Sequence, residues 1–104
     1  MRRARVLVSG RPAAVLEELA PGQSYRVAYD QGYLGPPVSL TMPVEGRAFS
    51  FETFPPFFDG LLPEGVQLES LLRQRKIDRN DLFSQLVAVG ADMVGAVTVT
   101  EMPE

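Results

Sequence analysis

The sequence contains no histidine, no cysteine and no tryptophan, and its only lysine is Lys76. Each absence removes a class of chemistry. Without histidine the chain lacks the commonest general base near neutral pH and the commonest metal ligand. Without cysteine it has neither a disulfide framework nor a thiolate zinc site. Ser9, Ser39, Ser50, Ser70 and Ser84 therefore have no Ser–His partner, and Lys76 lies in a charged run, Arg73 to Arg79, that is expected to be exposed. Gly90 to Gly95 lacks the Lys and Ser/Thr of a phosphate loop, and Gly32-Tyr33-Leu34-Gly35 lacks the basic neighbours of a nucleic-acid clamp. Neither a Gly-rich kinase loop nor a catalytic Asp/Asn set is present. No apolar run approaches the roughly 20 residues of a membrane span. After the basic Met1-Arg2-Arg3-Ala4-Arg5, Val6-Leu7-Val8 is too short for a signal-peptide core, so a cytoplasmic location is expected. No catalytic residue, metal ligand or cofactor site emerges. The chain is expected to work by binding another protein, not as an enzyme.

What the chain does contain is enough apolar residue, 45% of 104, for one compact domain over 1–104. Net charge is −3, which argues against nucleic acid as the main partner. Arginines cluster all the same: Arg2, Arg3, Arg5 and Arg11 at the start, then Arg73, Arg75, Lys76 and Arg79. Two solvated surfaces are the plain reading of these runs. A phosphate-touching patch is the alternative.

The pattern predicts an α+β fold whose N-terminal half is a mostly antiparallel sheet. Arg3 to Val8 alternates, Ser9-Gly10-Arg11-Pro12 turns, and Ala13 to Leu19 reads as a second strand before Pro21-Gly22, with an Ala and Glu content that also suits a helical turn. Ser24 to Tyr29 places Tyr25, Val27 and Tyr29 on one face. Gln31 to Pro37 reads as a loop, Ser39 to Met42 as a short strand, and Ala48 to Phe51 as a strand with Phe49 and Phe51 together. Two consecutive helices follow, at about 63–75 and 79–89. Pro63 suits a first helical position, Glu64 the first turn, and Leu68, Leu71 and Leu72 form a stripe. Asp78 is the predicted N-cap of the second helix, with Asp81 as capping-box acid and Ile77 stapled to Leu82. Its buried face is Leu82, Phe83, Leu86 and Val87, and Gly90 is its stop. Met93 to Thr100 reads as a closing strand in which Gly95 marks a bulge or a close backbone approach, and 101–104 as a frayed tail.

The densest segment is Pro55-Pro56-Phe57-Phe58-Asp59-Gly60-Leu61-Leu62-Pro63-Glu64-Gly65. Prolines that stiffen a buried corner account for much of it. They do not account for Gly65, which weakens a first helical turn and suggests a close approach of another backbone. Phe57 to Gly65 resembles the signature of the N-terminal subdomain of HipA-type serine/threonine toxin kinases. Tyr25 to Tyr29, Ser39-Leu40-Thr41-Met42-Pro43, Asp81-Leu82-Phe83 and Gly90 to Val97 resemble that subdomain in the same order, over nearly the whole chain.

The resemblance implies a small HipS-like antitoxin of tripartite toxin–antitoxin systems. Such a protein binds and inhibits a HipT-like kinase toxin near its active site, with a HipB-like helix-turn-helix repressor as a further partner in a ternary complex. It places the partner-binding residues at Asp59, Leu62, Pro63, Glu64, Gly65, Val66, Gln67, Glu69, Ser70 and Arg73. Helical rotation supports Val66 as a contact. With Val66 at zero, Leu71, Leu68 and Leu72 fall at about 140°, 200° and 240°, on the opposite side. Two alternatives stay open: a non-catalytic structural subdomain of a HipA-type kinase, and a small nucleic-acid-binding module.

Overall fold

The computed structural model describes residues 1–92 and 95–103. Five antiparallel strands form one sheet: β1 (Arg2–Val8), β2 (Arg11–Ala20), β3 (Ser24–Tyr29), β4 (Ala48–Phe51) and β5 (Val97–Met102). Their order is β4-β3-β2-β1-β5. Three helices lie between β4 and β5: α1 (Pro56–Asp59), α2 (Gly65–Arg75) and α3 (Leu82–Val89). The last strand returns to pair with the first, from Arg3 opposite Met102 to Val8 opposite Val97. The α+β expectation therefore holds.

Strand alternation fixes the core. Ala4, Val6, Val8, Leu16, Tyr25, Val27, Tyr29 and Val99 share the buried face. Phe54, Phe58, Phe83 and Leu86 join them in one apolar cluster. The 30–43 loop is held by tyrosine hydroxyls. Tyr29 Oη donates to the Met42 carbonyl and accepts from Val38 N–H at 2.9 Å, and Tyr33 Oη donates to the Pro36 carbonyl at 2.6 Å. The two rings stack with centroids 5.8 Å apart. No helix among the described residues is long and apolar enough to cross a membrane.

Several boundaries differ from the sequence reading. Ser39 and Met42 bridge to each other, closing a tight turn instead of forming a strand. The first long helix starts at Gly65, not Pro63. Glu64 is its N-cap, with extended backbone at φ −130° and ψ 164°. Pro63 suits a first helical position, but Glu64 after it is extended, so helical bonding begins only at the Glu64 carbonyl, which accepts from Leu68 N–H at 3.4 Å. Gly65 then turns the chain at φ +59°, a region that glycine alone enters cheaply, while a Cβ there would meet nothing within 4 Å. Within this chain its role is that turn, since no described backbone comes close to it.

The second long helix starts at Leu82, capped by Asp81 and not Asp78. The Asp81 carboxylate accepts from Ser84 N–H at 3.1 Å and from Arg2 of β1 at 2.9 Å. Asp78 instead accepts from Asn80 N–H at 2.7 Å in a local turn. With the cap moved to Asp81, Ile77 no longer occupies the staple position. Gly90 does not end α3 in the left-handed region. Its φ is −58°, and a one-turn 3₁₀ segment, Gly90–Asp92, continues from it. Glycine is required there because a Cβ would overlap the Val99 carbonyl oxygen of β5. The closing strand starts at Val97, after Gly95, so Gly95 marks no bulge within it; Met93 and Val94 lie outside the described residues. Glu101 and Met102 are paired with β1 instead of frayed, and Glu104 lies outside the described residues.

Asp81 carries a testable asymmetry. Burial pushes its pKa up, but hydrogen bonds from Arg2 and Ser84 outweigh burial and hold the net value below the ordinary one. A carboxylate with a depressed folded pKa contributes stability that is present above its unfolded pKa, about 3.9, and lost as pH falls toward the folded value. The melting temperature should therefore fall as pH drops below about 4, and Asp81→Asn should flatten that limb. At neutral pH, Asp81→Ala should cost about 1 kcal/mol or more and Asp78→Ala within about 0.5 kcal/mol. Equal losses in urea titrations of the two variants would return the cap to Asp78.

Candidate functional site

The corner between α1 and α2 is built by three short-range devices. Pro55 and Pro56 start α1, whose Phe58 is fully buried. Leu61 and Leu62 N–H groups bond to the carbonyls of Phe58 and Asp59 at 3.0 and 3.1 Å. Pro63 and Glu64 then carry the chain outward to Gly65. The result is an open hollow of about 620 Å³ lined by Gly60, Leu61, Leu62, Pro63, Glu64, Gln67 and Asp92.

Of the ten residues singled out by sequence, Leu62, Pro63, Glu64 and Gln67 come together in this hollow. Asp59 is exposed one turn before it, and Gly65 and Val66 are exposed in the first turn of α2. Val66 is 85% exposed, as its helical phase predicts. Glu69, Ser70 and Arg73 continue outward along α2 at the three- and four-residue spacing that keeps one face. Glu69 is paired with Arg79, which ties α2 to the loop before α3. Asp92 was not foreseen. It arrives through the 3₁₀ segment after α3, which is seated by the Gly90–Val99 contact, and no local sequence signal marks that contact.

α2 is unusual in that none of its residues is fully buried. Leu68, Leu71 and Leu72 form the predicted stripe yet remain half-buried, so the helix is only partly covered by its own chain. No side chain caps its N-terminus. The first N–H groups therefore face outward beside Glu64, at the positive end of the helix dipole.

No group of His, Cys, Asp or Glu able to hold a metal occurs among the described residues. Groups with displaced pKa lie in structural networks away from the hollow. Burial raises Tyr25 and Tyr29, and the bond to Glu18 raises Arg2. Three of the eight basic residues in the two arginine runs are held in ion pairs among the described residues. Arg2 bonds Glu18 and Asp81, Arg5 bonds Asp30, and Arg79 bonds Glu69.

Three comparisons place this geometry among known proteins. A family model described as the HipA N-terminal domain matches residues 4–100. An uncharacterised protein of Haemophilus influenzae is 33% identical over 101 residues, spanning 97% of this chain and 93% of that protein. A solved structure of the N-terminal domain of HipA toxin is similar at TM-score 0.77 and 28% identity, over 100% of this chain and 95% of that one.

Proposed function

Because the chain belongs to the HipA N-terminal domain family, we propose that it acts as an antitoxin, a non-catalytic module that docks on a HipT-like serine/threonine kinase and inhibits it. The α1–α2 corner is the docking surface. The observation that carries this reading is α2 itself, a helix with no fully buried residue that presents Val66, 85% exposed, beside an uncapped N-terminus. A helix held this lightly contributes little to the core and leaves apolar area for a partner to cover. Glu64, Gln67 and Asp92 supply the polar contacts of the same surface. A HipB-like repressor joins as a third component, and the module works in the cytoplasm.

The likeness to the N-terminal domain of HipA toxin also favours a second reading, in which the module is a structural subdomain joined to a kinase body. The two readings part on whether this chain binds, in trans, a kinase that lacks the domain.

Val66→Asp tests the surface. The substitution removes little buried area and puts an acid at a helix N-terminus, where it is favourable. Its melting temperature should match wild type, while binding to the kinase and neutralisation of it should weaken by about tenfold or more. A variant that melts and binds like wild type removes Val66 from the interface. Wild-type chain that leaves the kinase fully active ends the antitoxin reading.

A further inference from the structure

The sheet ends in two edge strands, β5 and β4. At β5, Gly90 lies against the Val99 carbonyl. At β4, Ala48 and Ser50 are exposed. Tyr29 N–H donates to the Arg47 carbonyl at 2.7 Å, which makes those two residues a hydrogen-bonded pair. Antiparallel pairs alternate. Val27 and Phe49 therefore also exchange bonds, whereas Ala48, opposite Ala28, and Ser50, opposite Arg26, turn their N–H and C=O groups away from β3. Among the described residues these groups have no partner.

Beside this edge lies an apolar hollow of about 310 Å³ lined by Met42, Phe49, Phe51, Pro56 and Phe57. Thr41 and Ser50 complete its lining, and Leu40, which precedes Thr41 in the chain, is 92% exposed. Glu45 and Glu52 flank β4 at its two ends, exposed and in no ion pair among the described residues. The Arg47 guanidinium is turned back to the carbonyls of Asp30 and Tyr33, 3.4 Å from each.

We infer that the β4 edge receives an extended segment of the partner protein as a sixth strand, an apolar side chain entering the Phe49–Phe57 hollow and basic flanking residues meeting Glu45 and Glu52. Strand addition of this kind takes affinity from backbone bonds and specificity from adjacent pockets. The charges select a foreign strand over a second copy. A two-fold pairing of Ala48 with Ser50 of another copy would bring Glu52 next to the other copy's Glu45, and like charges across a ladder repel. The inference rests on the partner reading above and names a second contact of the same kinase, since α1 borders both this hollow and the Asp59–Gln67 corner.

Amide hydrogen exchange on the free chain and on its complex with the purified HipT-like kinase tests it. The Ala48 and Ser50 amides should exchange fast in the free chain and slow by about tenfold or more in the complex, with Phe49 and Phe51 little changed. Ser50→Pro removes an outward N–H and no ladder bond, so it should melt near wild type and bind the kinase about tenfold more weakly. Glu45→Lys/Glu52→Lys should also bind more weakly, and it decides the matter if Ser50→Pro unfolds. Kinase bound at wild-type strength by these variants, with the two amides unprotected, overturns the inference and leaves the docking corner standing. Protection already present in the free chain and rising with its concentration overturns it in favour of a second copy. Wild-type chain that fails to bind the kinase removes both readings.

Discussion

Phe83→Ala should lower the free energy of unfolding by about 3–5 kcal/mol, a large share of the 5–15 kcal/mol typical of a domain. Phe83 lies in the first turn of α3, is fully buried and belongs to the single apolar cluster that joins helix to sheet. Truncation loses the transfer energy of the ring and leaves a cavity that strands β1 and β5 cannot fill without moving. It also loses the Arg2 guanidinium stacked 4.7 Å from the ring centroid. The comparison is Leu71→Ala on α2. Leu71 is half-buried on a helix with no fully buried residue, so its loss should cost under about 2 kcal/mol. Urea unfolding of both variants, with m unchanged and the midpoint shifted, gives the two numbers. A Phe83→Ala protein as stable as Leu71→Ala would mean that α3 is not the helix that anchors the sheet.

The difference between α3 and α2 is only partly legible in sequence. The strand faces are legible because side chains alternate with period two, and Tyr25, Val27 and Tyr29 all fall inside as that period requires. The buried face of α3 is legible for the same reason at period 3.6, with Phe83 and Leu86 fully buried. What the pattern misses is set by partners distant in the chain. Asp78 and Asp81 both have the chemistry of a cap, and Arg2, seventy-nine residues from Asp81, decides between them. Gln85 looks like a surface residue of α3, yet it is buried because its Nε2 donates to the Arg79 carbonyl at 2.9 Å. In the candidate site, the exposed phase of Val66 follows from helix geometry alone, whereas Asp92 enters the hollow only because Gly90 closes on Val99. The apolar stripe of α2 reads as core by period, but its degree of burial depends on what covers it, and periodicity carries no information about that.

Arg2→Ala should be the most disruptive change of a partly exposed residue. Glu18 sits on β2 with 4% of its side chain exposed and accepts from Arg2 at 2.6 and 2.9 Å. Its other bond, from Tyr25 Oη, is long at 3.3 Å. The same guanidinium reaches Ser84 Oγ at 2.8 Å and Asp81 at 2.9 Å, so one side chain pins the sheet to α3. Removing it strands a buried carboxylate, a loss of about 3–5 kcal/mol where desolvation is complete. With Arg2 itself 29% exposed, water reaches part of the site, and the lower end, about 3 kcal/mol, is expected. The cause is the orphaned charge more than the lost attraction. Arg2→Met/Glu18→Leu, which replaces both partners by apolar groups of similar volume, should therefore recover most of the loss, within about 1 kcal/mol of wild type. Asp81 would keep its bonds from Ser84 in that variant, so the α3 cap survives. Urea unfolding of Arg2→Met, Glu18→Leu and the double variant closes the cycle, with Arg2→Ala measured beside it. A double variant no more stable than Arg2→Ala would show that the attraction itself, and not the orphaned charge, holds the sheet to α3.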